Sequence, residues 1–111
     1  MKTPLLIGAI SDTHGVVRPQ VYGALEGVDL ILHAGDVGSE DVLIELATIA
    51  PVHAVRGNMD AELDLPGELL VEAAGWRIFV THFAGRPGQP EHRIKRLLEE
   101  LHPDMVITGH T

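Results

Sequence analysis

Cysteine is absent from the 111 residues, which excludes disulfides, thiolate zinc sites and a cysteine nucleophile. Any metal held by this chain must be bound through oxygen and imidazole. Basic residues are few, 8 against 16 acidic ones for a formal net charge of −8, and they form no cluster. That balance argues against binding to bulk nucleic acid or to an anionic membrane. No apolar run reaches the length of a membrane span, and no charged-apolar-small pattern opens the chain as a signal peptide would. The expectation is a soluble, cytoplasmic protein with no membrane partner. Internal repeats, low-complexity tracts and linkers are also missing, and the length fits one domain. A glycine-rich dinucleotide fingerprint is lacking too. The first apolar run leads instead into SDTHG, whose Asp12 would repel a pyrophosphate.

What the chain does have is histidine, seven in all, and a recurring way of ending its apolar runs. The stretch from Leu5 to Gly15 reads LLIGAISDTHG. The apolar part has the length of a buried strand. It stops at Ser11, and Asp12 and His14 follow two positions apart on a glycine-closed turn. In an extended segment such residues point to the same side, so a carboxylate oxygen and an imidazole nitrogen can meet at one point, a donor pair suited to a borderline divalent cation.

The rest of the chain alternates in kind. Arg18 to Glu26 has weak helical character, with Pro19 acceptable in the first turn. Val28 to Ala34 reads as a second strand ending in Gly35-Asp36. Ser39 is placed to cap a helix from Glu40 to Ile49, with Glu40 and Asp41 where the dipole favours them. Val52 to Arg56 is a third strand, ending in Gly57-Asn58. Met59 to Gly67 reads as a loop. Glu68 to Ala73 and Trp76 to Thr81 form a hairpin across Ala74-Gly75, with His82 at its end. Phe83 to Pro90 carries too much glycine and proline for regular structure. Glu91 to Leu101 is amphipathic, and Asp104 to Thr108 is a last strand before Gly109-His110. The alternation implies an α/β fold with a largely parallel sheet covered on both faces.

Five strand ends therefore deliver metal-ligand residue types: Asp12 and His14, Asp36, Asn58, His82 and His110. Taken singly, each has a plainer reading as a turn former, a cap or a surface residue. Their recurrence at equivalent places changes the balance, because function in open α/β sheets gathers beyond the carboxyl ends of the strands.

The motifs SDTHG, HAGD, RGNMD, TH and GHT, in that order and spacing across nearly the whole chain, resemble the calcineurin-like metallophosphoesterases. The likeness is to their small single-domain bacterial and archaeal phosphodiesterases. The resemblance implies a metallophosphoesterase-like layered fold, a mostly parallel sheet with flanking helices plus a β-hairpin. It also implies a two-metal centre in which Asp12 and His14 bind one ion, Asp36 bridges both, and Asn58, His82 and His110 bind the other. A carboxylate can bridge ions ~3.5–4 Å apart, and the water between them becomes the nucleophile. Two dications against two aspartates and a hydroxide leave about one positive charge to attract phosphate. The implied activity is hydrolysis of a small phosphate ester, a phosphodiester or phosphomonoester, with manganese the first choice of metal and iron, nickel or zinc as alternatives. Gly35, Gly57 and Gly109 directly precede implied ligands and let the backbone turn into the site. A non-catalytic metal-binding scaffold of the same fold is the competing function.

The chain departs from that family in three places. The family's last motif is Gly-His-x-His, followed by further strands. This chain ends at Thr111, so the expectation is a chain shortened at its C-terminus, its first metal site holding Asp12, His14 and Asp36 alone. The apolar fraction of 45% and mean hydropathy of +0.15 fit a shortened chain. Met59 stands where many relatives carry a leaving-group histidine, and Phe83 where the small phosphodiesterases carry glycine. Among other residues, Arg86 is a candidate anion contact, although a solvated arginine is the simpler reading. His33 either orients Asp36 or points into the opposite layer. Asp60 either holds His14 through its second ring nitrogen or is a plain loop carboxylate. His53, His92 and His102 read as surface residues, and Trp76 as hairpin packing.

Overall fold

The computed structural model describes residues 4–83, 85–86, 89–90 and 92–109 of the chain. The first three apolar runs become β1 (Ile7–Ile10), β2 (Leu30–His33) and β3 (Val52–Ala54). They pair in parallel in the order β1-β2-β3. Ile10 stands opposite His33, and His33 opposite Ala54. The last residues of the three strands thus form one row, and the polar residues that follow leave the sheet at one rim. The central strand β2 is buried along its whole length, which is why it reads as an unbroken apolar run rather than an alternating one.

Helices α1 (Pro19–Ala24) and α2 (Glu40–Ala47) lie on one face of this sheet. Ser39 caps α2 as its sequence predicts, its Oγ accepting the Asp41 N–H at 3.2 Å. Ile31 on β2 meets Val42 and Leu46 of α2 in a cluster that includes Leu25 and Val37.

The other face of the parallel sheet is covered by a second sheet. Here β4 (Glu68–Ala73) and β5 (Trp76–Thr81) form the expected hairpin. Its turn places Ala74 and Gly75 at φ of 51° and 85°, the left-handed pair that a two-residue hairpin loop requires. The last strand, β8 (Met105–Thr108), joins β5 in parallel with Thr108 opposite Thr81. Leu30 and Leu32 on β2, and Ala34 just beyond its end, pack with Val71, Ile78 and Val80 between the two sheets, and Trp76 packs against this cluster. The layered α/β expectation holds. What periodicity did not reveal is that the hairpin and the last strand form a sheet of their own.

The segment after β5 differs from its expectation. Gly85–Arg86 (β6) and Gln89–Pro90 (β7) pair as a two-stranded antiparallel ribbon where the composition pointed to irregular structure. Both strands are edges, and proline is tolerated where its missing N–H faces no partner. Helix α3 (His92–Leu101) follows. It is tied to the second sheet by Arg93, paired with Glu68, and by Arg77, which donates to the Leu101 carbonyl. Among the described residues no helix is long and apolar enough to cross a membrane.

The contact between the sheets is testable at Ile78, which has no exposed surface. Ile78→Ala should lower the free energy of urea unfolding by about 2–5 kcal/mol. A loss below 1 kcal/mol would mean that the sheets do not pack through this side chain.

Candidate metal centre

The parallel ladder does not end with the strands. The Asp12 N–H donates to Gly35 O at 2.9 Å, the His14 N–H to Asp36 O at 3.1 Å and the Gly15 N–H to Val37 O at 2.7 Å. The loops after β1 and β2 are therefore zipped together backbone to backbone. Within this zipper Asp12, His14 and Asp36 take left-handed φ values of 56°, 50° and 56°. Such a conformation costs a non-glycine residue about 1–2 kcal/mol, and it concentrates where function requires it.

Donor atoms of Asp12, His14 and Asp36 all lie within 4.8 Å of one another. Asp12 Oδ1 is 3.9 Å from His14 Nε2. His82 brings its Nε2 to 3.4 Å from Asp36 Oδ2. Asp36 is 6% exposed and His82 4%, so both side chains are largely shielded from water. Its other oxygen, Oδ1, accepts the Met59 N–H at 3.0 Å. Asn58, exposed, sits in the chain between Gly57 and Met59. Gly57 presses so closely on Asp36 that a Cβ there would collide with the Asp36 backbone nitrogen and Oδ1. Gly57 is thus needed for close approach rather than for a turn, whereas Gly35 meets the turn expectation with φ of 103°. Gly109 donates its N–H to His82 O at 3.1 Å, which brings the last motif to the same rim. His110 and the side chain of Arg86 lie outside the described residues.

The ring orientations follow from backbone chemistry. His82 Nδ1 is 2.8 Å from the Ala34 carbonyl. A carbonyl can only accept, so Nδ1 carries a proton and Nε2 is the ring nitrogen that faces Asp36. His14 Nδ1 lies 2.8 Å from Met59 Sδ. This corrects one expectation, because Met59 and not Asp60 stands behind His14.

Asp60 instead braces the loops. It is 1% exposed. Its Oδ2 accepts the N–H groups of Val37 at 3.0 Å and Gly57 at 2.9 Å, and its Oδ1 that of Gly38 at 2.9 Å. Burial alone would raise its pKa, but the N–H donors from Gly38, Gly57 and Val37 outweigh burial and hold the carboxyl below its ordinary value.

His33 has a comparable bracing role and does not bond Asp36. Its Nδ1 accepts the Gly35 N–H at 3.1 Å, so its Nε2–H faces Thr13 Oγ1 at 3.0 Å, and that hydroxyl donates to Val37 O at 2.8 Å. Thr13 escaped sequence reasoning. A buried threonine between two candidate ligands was the available signal. His53, His92 and His102 are exposed, as expected.

Three comparisons bear on this geometry. The family model described as "Calcineurin-like phosphoesterase superfamily domain" matches residues 5–111. A probable metallophosphoesterase of Methanothermobacter thermautotrophicus is 40% identical over 114 residues, covering 96% of this chain and 66% of that protein. Among solved structures, Vps29 of Chaetomium thermophilum superposes with a TM-score of 0.76 at 20% identity, over 96% of this chain and 59% of that one. An archaeal phosphodiesterase superposes at 0.69 with 27% identity, over 95% and 72%. The chain spans between 58% and 66% of the length of the curated relatives it matches.

Burial lowers the His33 pKa from 6.5 to about 4, with Asp60 and Asp12 opposing the shift. Below pH 6.5 the unfolded chain takes up a proton that the folded chain refuses. This contribution to stability is complete above pH 6.5 and disappears as the pH falls toward 4, amounting to about 3 kcal/mol. Urea unfolding of the metal-free chain should show that slope, and His33→Gln should lack it. A His33 ring-proton resonance titrating with a midpoint above pH 6 would contradict the assignment.

Proposed function

The chain belongs to the calcineurin-like phosphoesterase superfamily, and from that premise we propose that it is a metal-dependent phosphodiesterase acting on a small substrate. We assign Asp12 and His14 to one cation, Asp36 to both, and Asn58, His82 and His110 to the other. The observation that carries this reading is the placement of Asp36, grouped with Asp12 and His14 and also 3.4 Å from His82 Nε2. Oxygen and imidazole donors in this number suit first-row divalent ions, with manganese our first choice. Bound there, two such ions supply Lewis acidity and an activated water to attack phosphorus.

The chain's own residues do the positioning. Asp36 is held on one side by the Met59 N–H, so its carboxylate cannot swing away from the rim. Ala34 O fixes the ring of His82 with Nε2 facing Asp36, the carbonyl–histidine arrangement that orients metal ligands. The zipper between the two loops fixes Asp12 and His14 relative to Asp36 before any ligand arrives, so little reorganisation accompanies binding. Diester specificity draws support from the archaeal phosphodiesterase at 27% identity. A non-catalytic scaffold would bind the ions without turnover, and the assay that follows separates the two.

The chain should hydrolyse bis(p-nitrophenyl) phosphate in the presence of manganese, and chelation should abolish the activity. Asp36→Asn, which keeps an acceptor for the Met59 N–H, should lower kcat by about 100-fold or more with an unchanged circular dichroism spectrum. Equal activity of the two chains would refute the reading. Met59 is 60% exposed at the rim, and a thioether cannot protonate a leaving group. Alkyl phosphodiesters should therefore react slower than aryl ones by roughly 100-fold or more, the advantage a general acid would otherwise provide. Comparable rates would show that another group donates the proton.

A further inference from the structure

We propose that Arg56 and the cavity it lines form a second anion site, selecting phosphodiesters that carry another anionic group beside the one being cleaved. The inference rests on the phosphodiesterase reading. The cavity holds about 430 Å³, within the range that accepts small molecules. His82 forms part of its wall, together with Arg56, Glu68, Phe83 and Arg93, so the cavity and the candidate metal centre share that residue. On this proposal a substrate held at the centre extends past His82 into the cavity.

The charges are unequal. Arg93 Nη1 donates to Glu68 Oε1 at 2.5 Å, which pairs the carboxylate of the cavity with one of its two guanidinium groups. The Arg56 side chain makes no hydrogen bond or ion pair with any described residue, while its backbone N–H is fixed to Pro66 O at 2.7 Å. Acidic residues outnumber basic ones 16 to 8 in this chain, so an arginine beside a concave surface with no carboxylate partner among the described residues is a site of uncompensated positive charge. A guanidinium offers a rigid donor fork that matches phosphate or carboxylate. Arg56 also lies two residues before Asn58, so the anion contact and a candidate metal ligand ride on one loop.

Two matched substrates test this: thymidine 5′-(p-nitrophenyl phosphate) and the same compound bearing a 3′-phosphate. The manganese-loaded chain should prefer the second in kcat/KM by about tenfold or more, the scale of one charge-assisted contact. Arg56→Gln should bring the ratio near one, and Arg56→Lys should restore part of it. If neither compound is hydrolysed, the phosphodiesterase reading fails, and equilibrium binding decides the anion site. Thymidine 3′,5′-bisphosphate should then bind more tightly than thymidine 5′-phosphate to the parent chain and not to Arg56→Gln. A preference that survives Arg56→Gln, or no preference in the parent chain, overturns the proposal.

Discussion

Asp60 holds together two loops that the sheet alone would leave independent. Its oxygens accept N–H groups from Val37 and Gly38 after β2 and from Gly57 after β3. The first loop carries Asp36 and the second Asn58. Without that carboxylate three inward-facing N–H groups would lose their acceptors, at about 1–3 kcal/mol for each one left buried, and the separation of the loops would no longer be fixed. A buried charge is tolerable here because it meets backbone dipoles instead of water. Those donors hold it ionised, as its lowered pKa records. A negative charge so engaged does not compete with Asp12 and Asp36 for a cation.

The same rim stores strain. Asp12, His14 and Asp36 are three of the five described non-glycine residues with positive φ, and each is a candidate ligand. The other two, Ala74 and His102, have structural reasons: a hairpin turn and the residue that follows α3. Left-handed backbone at the three candidate ligands is disfavoured locally and is offset by the loop zipper, by Asp60, and by the His33–Thr13–Val37 chain of hydrogen bonds. Stability is thereby exchanged for donors that are already aimed, the arrangement that metal-assisted catalysis requires.

Much of this was legible in the sequence, and the limits have physical causes. Apolar runs that break into Asp12, Asp36, Asn58 and His82 reported strand ends, because a buried parallel strand and its polar exit differ sharply in composition. Ser39 announced α2 because capping is a local contact. Ala74-Gly75 announced the hairpin for the same reason. The second partner of β5, beyond its hairpin mate β4, was not legible. That strand could have joined β3 or β8, and periodicity records which face is buried but not what lies beside an edge. Asp60 was misread because its partners are main-chain N–H groups, which every residue but proline possesses. Thr13 and Arg56 were passed over because their significance lies in what approaches them from distant parts of the chain.

The histidines show where residue type ceases to inform and geometry takes over. His33 and His82 both stand at strand ends, both are nearly inaccessible, and residue type alone does not tell their roles apart. The group reaching Nδ1 separates them. At His33 it is the Gly35 N–H, a donor, so Nδ1 must accept, Nε2 must carry the proton, and the ring serves the scaffold through Thr13. At His82 it is the Ala34 carbonyl, an acceptor, so Nδ1 carries a proton and Nε2, facing Asp36, is the nitrogen that can serve a cation. His14 follows the second pattern, since the Met59 sulfur facing its Nδ1 can only accept a hydrogen bond. The Ala34 C=O and the Gly35 N–H belong to one peptide group, yet they impose opposite tautomers on two rings because a trans peptide presents its N–H to one side and its C=O to the other. A neutral imidazole binds a cation only through the nitrogen that lacks the proton. The path of the backbone around Ala34 and Gly35 therefore determines which buried histidine is available as a ligand and which is committed to the fold.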